Sequence, residues 1–181
     1  MKIFTMMAAA VVLAAAILAG CQKSNEISLK DLKTGDEYQY VKAAWNASLQ
    51  EVEKRLPYSI EKDEARASGS SKYVPYKSEN KITLDGYEAV VTFEFCEDEL
   101  KMISFNFDLP DENYKKQFET QVERLIQQFG PESEKMESSD GFNEITYVWK
   151  TQNTALQLDL LTGEALSPRI ELSMADKSVG F

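Results

Sequence analysis

Apolar and polar positions alternate with different periods along this 181-residue chain, and the periods divide it into elements. Ile3 to Leu18 is almost wholly apolar, with no period at all. Tyr38, Val41, Trp45, Leu49, Val52 and Leu56 then recur at steps of three and four, which predicts one long amphipathic helix. Asp36 and Glu37 suit the positive end of its dipole, and Pro57 stops it near Leu56. A small polar stretch, Ala67 to Ser71, leads to Lys72-Tyr73-Val74-Pro75-Tyr76-Lys77, which Pro75 confines to an edge strand or an extended loop. Period two follows. Tyr87, Ala89, Val91, Phe93 and Phe95 alternate with polar residues, and after an acidic turn at Glu97 to Glu99 so do Ile103, Phe105, Phe107 and Leu109. The pair predicts an antiparallel hairpin with one buried face. Tyr114, Phe118, Val122, Leu125, Ile126 and Phe129 predict a second helix, with Gly130-Pro131 as its stop. Glu132 to Asp140 is expected as a polar loop. Three more strands are expected from Ile145/Tyr147/Trp149, Leu156/Leu158/Leu160 and Ile170/Leu172/Met174, with a turn at Thr162-Gly163 and a frayed end from Ser178.

The two halves match in kind. Each offers an amphipathic helix ending at a proline, a polar loop and about three strands. Glu51-Val52-Glu53-Lys54-Arg55-Leu56 is the counterpart of Gln121-Val122-Glu123-Arg124-Leu125. The expected fold is therefore α+β: two α-β-β-β repeats, about residues 36–109 and 110–177, forming one antiparallel sheet with both helices on one face. Trp45 and Phe93 are expected in its core. This layout resembles exported bacterial domains of the β-lactamase-inhibitor-protein and outer-membrane-assembly lipoprotein (SmpA/OmlA) type. The resemblance implies a protein-binding domain without catalysis. It carries over no functional residue, because no position matches a motif.

The first run ends in Leu18-Ala19-Gly20-Cys21. Lys2, an apolar stretch, small residues and then a cysteine resemble a bacterial lipoprotein signal with its lipobox. The resemblance implies cleavage between Gly20 and Cys21 and diacylglyceryl transfer to the Cys21 thiol. It also implies acylation of the new amino terminus. A transmembrane helix is the alternative. The run is marginal against the ~20 apolar residues a span requires, is rich in alanine and has no basic cluster behind it. The expected organisation is a signal peptide over 1–20, a lipidated tether over 21–35 and a domain over 36–177. The bilayer, reached through acylated Cys21, is the first partner. Gln22 rather than aspartate follows the cysteine. That implies the outer membrane in a Gram-negative cell, and the outer face of the cell membrane in a Gram-positive one.

Removing the first twenty residues takes away one base and no acid, leaving nineteen bases against thirty acids and a net charge of −11. Such a surface repels phosphate backbones, so no nucleic-acid partner is expected. There is no histidine, which excludes the Ser-His-Asp and Cys-His arrangements. Once Cys21 is acylated, Cys96 is the one remaining thiol, and Glu97, Asp98 and Glu99 beside it disfavour a thiolate. No phosphate loop, dinucleotide fingerprint or zinc spacing occurs, so no cofactor or metal is expected. Glu137, Asp140, Asn143 and Glu144 cluster around Gly141 without the calcium-loop ladder and are expected as an ordinary acidic turn.

Alternation places Glu88, Thr92, Glu94, Met102, Ser104, Asn106, Thr146, Val148, Lys150, Gln157, Asp159, Arg169, Glu171 and Ser173 on the sheet face away from the helices. The expected partner-binding residues are Tyr73, Tyr76, Glu94, Met102, Lys150 and Arg169. The function these patterns imply is a membrane-tethered, non-catalytic envelope lipoprotein that binds a protein. A small hydrolase using a carboxylate pair and a structural lipoprotein without a ligand are the rivals. A deep pocket of convergent acids would favour the first rival.

Overall fold

A computed structural model describes residues 26–67, 71–109, 113–139 and 141–179. Cys21, Asp140 and the signal segment lie outside the described residues. In chain order the strands are β1 (Glu26–Ile27), β2 (Lys33–Thr34), β3 (Glu37–Tyr38), β4 (Ile60–Lys62), β5 (Tyr73–Ser78), β6 (Ile82–Leu84), β7 (Tyr87–Cys96), β8 (Glu99–Phe107), β9 (Glu134–Ser138), β10 (Asn143–Lys150), β11 (Thr154–Gly163) and β12 (Leu166–Asp176). The α-helices are α1 (Leu49–Glu53) and α2 (Tyr114–Phe129), and short 3-10 helices occupy Leu29–Leu32 and, where a frayed end was expected, Lys177–Val179. The molecule is α+β. One ten-stranded sheet runs β1-β6-β7-β8-β12-β11-β10-β9, with β5 and β6 end to end along the same edge of β7 and β4 outside β5. Its pairs are antiparallel except β1 with β6, which is parallel. Among the described residues no helix is long and apolar enough to cross a membrane.

The predicted strands form with the expected parity. Val91, Phe93 and Phe95, Ile103, Phe105 and Phe107, Leu156, Leu158 and Leu160, and Ile170, Leu172 and Met174 all lie in one buried cluster. Phe118, Val122 and Leu125 of α2 and Val52 of α1 pack on the same cluster, so both helices cover one face. The β7–β8 turn is tight because Glu97 and Asp98 both take positive φ, 54° and 63°, the geometry of a two-residue hairpin loop. Phe93 is fully buried, whereas Trp45 is only half-buried at the margin, its indole N–H donating to the Tyr38 carbonyl at 3.1 Å.

Four expectations are corrected. The stripe from Tyr38 to Leu56 is not one helix, since only Leu49–Glu53 is helical. Val41, Lys42 and Asn46 adopt positive φ of 54°, 53° and 68°, which no right-handed helix accommodates. Glu37 is held in β3 instead. Its carboxylate accepts from Thr151 Oγ1 at 2.6 Å, Thr154 Oγ1 at 2.8 Å and Asn153 Nδ2 at 2.7 Å, all in or beside the β10–β11 turn. The helix starts at Ser48, whose N–H and hydroxyl both donate to Glu51 Oε2 at 2.9 and 3.0 Å.

The expectation of a tether over 21–35 fails for its last ten residues. Residues 26–35 belong to the fold, with Leu29 and Leu32 buried in the core and β1 paired to β6. The polar loop over 132–140 contains β9, an edge strand whose residues are all exposed. Finally, β5 is not an edge strand. It lies between β4 and β7, and Pro75 fits because β4 has ended there, where the Pro75 carbonyl accepts from the Asp63 N–H at 2.9 Å. Residues 36–109 therefore carry six strands besides their helix, β3 to β8, rather than three.

Candidate functional site

Each central strand has a second face, turned away from the helices, and three rows of side chains cross it. Register places Pro75, Glu94, Met102, Ala175, Ala155 and Lys150 in one row. The next holds Lys77, Thr92, Ser104, Ser173, Gln157, Val148 and Glu134. The third holds Val90, Asn106, Glu171, Asp159, Thr146 and Met136. Thr92, Ser104, Thr146, Val148, Ala155, Ser173 and Ala175 are buried although they face away from the core. They are short side chains, and the longer Glu94, Met102, Gln157 and Lys150 stand among them.

Among the described residues, the charges in these three rows are paired except at Asp159. Arg66 Nη2 lies 3.5 Å from Glu94 Oε1, Arg169 Nη2 lies 3.8 Å from Glu171 Oε2, and Lys150 Nζ lies 2.6 Å from Glu134 Oε1. Among the described residues the donors to Asp159 are neutral. Thr146 Oγ1 donates to it at 2.6 Å, and Gln157 Nε2 reaches both its oxygens at 2.9 Å. Burial pushes the Asp159 carboxyl above its ordinary range. Those hydrogen bonds pull it back, and the charges of Glu144 and Glu171 add to the rise. Burial likewise raises Glu94, with Arg66 opposing and Glu171 reinforcing. The face thus offers hydroxyls, amides and partly desolvated carboxylates over five strands. Among the described residues no cluster of His, Cys, Asp and Glu is placed to hold a metal ion. Of the acidic-turn residues, Glu137 sits in β9 and pairs with Lys135 at 2.8 Å, while Asn143 and Glu144 begin β10.

The predicted binding residues are only partly brought together. Glu94 and Met102 are adjacent, and Lys150 closes the same row. Arg169 lies two residues along β12 from Glu171. Tyr73 is opposite Cys96, beyond Glu94 on the same face, with Lys72 over its ring at 5.1 Å. Tyr76 does not join them. It is three positions from Tyr73, so it turns to the opposite face, where its ring meets Phe95 edge-on at 5.6 Å and flanks the core. Its place as a contact residue is withdrawn.

Two features escape a reading by hydrophobic residues alone. Gln117 and Gln121 of α2 are buried, and Gln117 Nε2 and both amide atoms of Gln121 have no hydrogen-bond partner among the described residues. Gln121 lines a small apolar cavity beside Tyr87 and Arg124, and Gln117 lines an open groove beside Tyr87 and Lys116. The signal was their spacing, because positions 117, 118, 121, 122 and 125 form one buried stripe whatever their polarity. At the far tip of the sheet Phe142 and Leu166 are exposed on either side of Gly163.

No family model and no curated protein matches the chain. Among solved structures it is similar to a DUF4309 family protein (YjgB) from Bacillus subtilis subsp. subtilis str. 168, at 15% identity and a TM-score of 0.43, over 78% of this chain and 88% of that one.

Proposed function

We propose that the chain is a lipid-anchored, non-catalytic module of the bacterial cell envelope that binds a protein through the polar face of its sheet. The observation that carries this reading is that face itself. Serine, threonine and carboxylate side chains occupy buried or half-buried positions in continuous rows over five strands, where a merely solvated face would leave its polar groups open to water. A broad polar surface with scattered apolar points such as Met102 and Val148 is suited to a protein contact. Cys21 is the proposed anchor. Five residues on from it the chain enters β1, so full extension allows at most ~18 Å between lipid and fold. The anchor would hold the domain close to the bilayer and raise the effective concentration of other envelope proteins.

The fold reading extends to an internal duplication. The meanders β6–β7–β8 and β10–β11–β12, joined antiparallel through their last strands β8 and β12, support two related halves.

A photo-crosslinker at Met102 in the intact cell tests the reading. It should trap one protein, and Tyr73→Ala should reduce that product. A crosslinker at Met102 that traps nothing above one placed on exposed Glu123 would reject it. The anchor is tested separately, since Cys21→Ser should abolish incorporation of labelled palmitate.

A second reading has its own support. Burial raises Glu94 and the charge of Glu171 raises it further, so a carboxyl that keeps its proton stands within electrostatic reach of a second carboxylate, as a hydrolase requires. Release of reducing sugar ends from cell-wall glycan by the purified chain, lost in Glu94→Gln, would establish it in place of the first.

A further inference from the structure

A serine hydroxyl of the polar face lies diagonally between two glutamates. Ser104 is in the middle of β8 and 1% exposed, and its Oγ has no hydrogen-bond partner among the described residues. Its direct neighbours are Thr92 on β7 and Ser173 on β12. Its diagonal neighbours are Glu94 on one side and Glu171 on the other, and Asp159 is directly opposite Glu171. Such diagonal positions are ~7–8 Å apart, within reach of one long side chain laid between them. A buried hydroxyl left unpaired costs stability, and so do acids facing one another across strands. Both costs are removed by a ligand that brings positive charge and several donors.

The molecule already holds a fragment of such a ligand. Arg66 lies outside the sheet, in a turn closed by Ala67 N–H to Asp63 O at 2.9 Å. From there its guanidinium reaches Glu94 at 3.5 Å, too long and too exposed for the short paired bonds of a fully engaged arginine. Arg169 is farther from Glu171, at 3.8 Å, and among the described residues Asp159 accepts only from Thr146 and Gln157.

We propose that the band formed by Glu94, Ser104, Glu171 and Asp159 receives an arginine side chain from a basic segment of the partner protein, and that Arg66 is an internal stand-in occupying one end of it. The proposal rests on the protein-binding reading of this face. A guanidinium carries five donors in a rigid fork and no acceptor, which matches carboxylates flanking a free hydroxyl better than a compact ammonium does. A net charge of −10 draws basic chains toward the molecule and repels nucleic acid and anionic lipid alike.

The probe is a dye-labelled hexapeptide alternating arginine and glycine, titrated into the full chain in detergent and followed by anisotropy. Glu94→Gln with Glu171→Gln should weaken binding about tenfold, roughly the 1.4 kcal/mol of one lost charged contact. The lysine version of the peptide should bind more weakly than the arginine version. Arg66→Ala should tighten binding because a competitor is removed, and Lys54→Ala, on the helix side, should tighten it less. Equal binding by the wild type and the double glutamine variant overturns the proposal. So does an equal gain from Arg66→Ala and Lys54→Ala, which would mean that only net charge matters. The Met102 crosslink separates the two levels. If it persists undiminished in the double glutamine variant, the arginine site is wrong while the protein-binding face stands. If Met102 traps nothing and the peptide binding is still lost in the double variant, the face reading fails while the arginine site stands.

Discussion

The two faces of the sheet are built from the same strands, yet they are buried for different reasons. Ile103, Ser104 and Phe105 are consecutive, and each is at most 1% exposed. Ile103 and Phe105 are covered from outside, by α2 and the chain from Leu29 to Val52. Ser104 is covered from within its own face, because it is short and longer side chains stand around it, Met102 and Asn106 along β8 and Glu94 and Glu171 on the diagonals. Burial on the first face contributes roughly 25 cal/mol for each Å² of apolar surface. Burial on the second contributes little, and it leaves Ser104 unpaired and Asp159 desolvated. Low exposure therefore means a core on one side and a held-back polar surface on the other. The contrast is sharp enough to be broken by experiment.

The largest effect should come from the apolar face. Phe105→Ala should cost about 3–5 kcal/mol in denaturant unfolding, the usual loss for a buried aromatic ring. A loss below about 1 kcal/mol would mean that the two faces are not distinct. Gln121→Leu is the next in size and opposite in sign. It replaces an unpaired amide among Leu29, Leu84, Phe107 and Leu125 with a side chain of similar volume, and it should stabilise by about 1–3 kcal/mol. No gain would show that something satisfies the amide. Ser104→Ala, one residue from Phe105, should be within about 0.5 kcal/mol of neutral or slightly stabilising, since no bond is lost. A loss comparable to that of Phe105 would place Ser104 in the core proper.

The smallest effect depends on pH. Burial raises the Asp159 carboxyl above 3.8, so the folded chain holds this proton more tightly than the unfolded one does. Its contribution is fully present below about pH 3.8 and is lost as the pH rises through the folded value. Asp159→Asn should accordingly raise the melting temperature at pH 7, and its advantage over the wild type should vanish toward pH 3.5. An advantage independent of pH would mean that the carboxyl is not desolvated.

Much of the fold was legible because period two is a local property. The parity of Phe93, Phe105, Leu158 and Leu172 follows from alternation alone, and the register of the sheet did not alter it. The second helix was legible for the same kind of reason, with a long stripe and a Gly-Pro stop. The first stripe has the same spacing from Tyr38 to Leu56 and is not a helix there. Ser48-Leu49-Gln50-Glu51 carried the correct start as a capping box, a signal that the longer stripe obscured. Residues 26–35 read as a linker because two leucines among polar neighbours have no period. They are folded because Leu29 and Leu32 find the core. Tyr73 and Tyr76 read as one cluster because they are close in sequence, but three residues along a strand reverse the side.

What the sequence by itself determined is whatever repeats within a few residues: which side of each strand is apolar, where α2 begins and ends, and the absence of histidine chemistry. The tertiary structure decided what depends on distant partners. Glu37 leaves the helix for strand β3 because Thr151 and Thr154, over a hundred residues away, supply its hydrogen bonds. Glu94, Ser104, Glu171 and Asp159 become neighbours only because β8 pairs with β12. Hydrophobic periodicity records whether a position is buried, and it carries no account of which strand lies beside it. The rows of the polar face are made of those pairings.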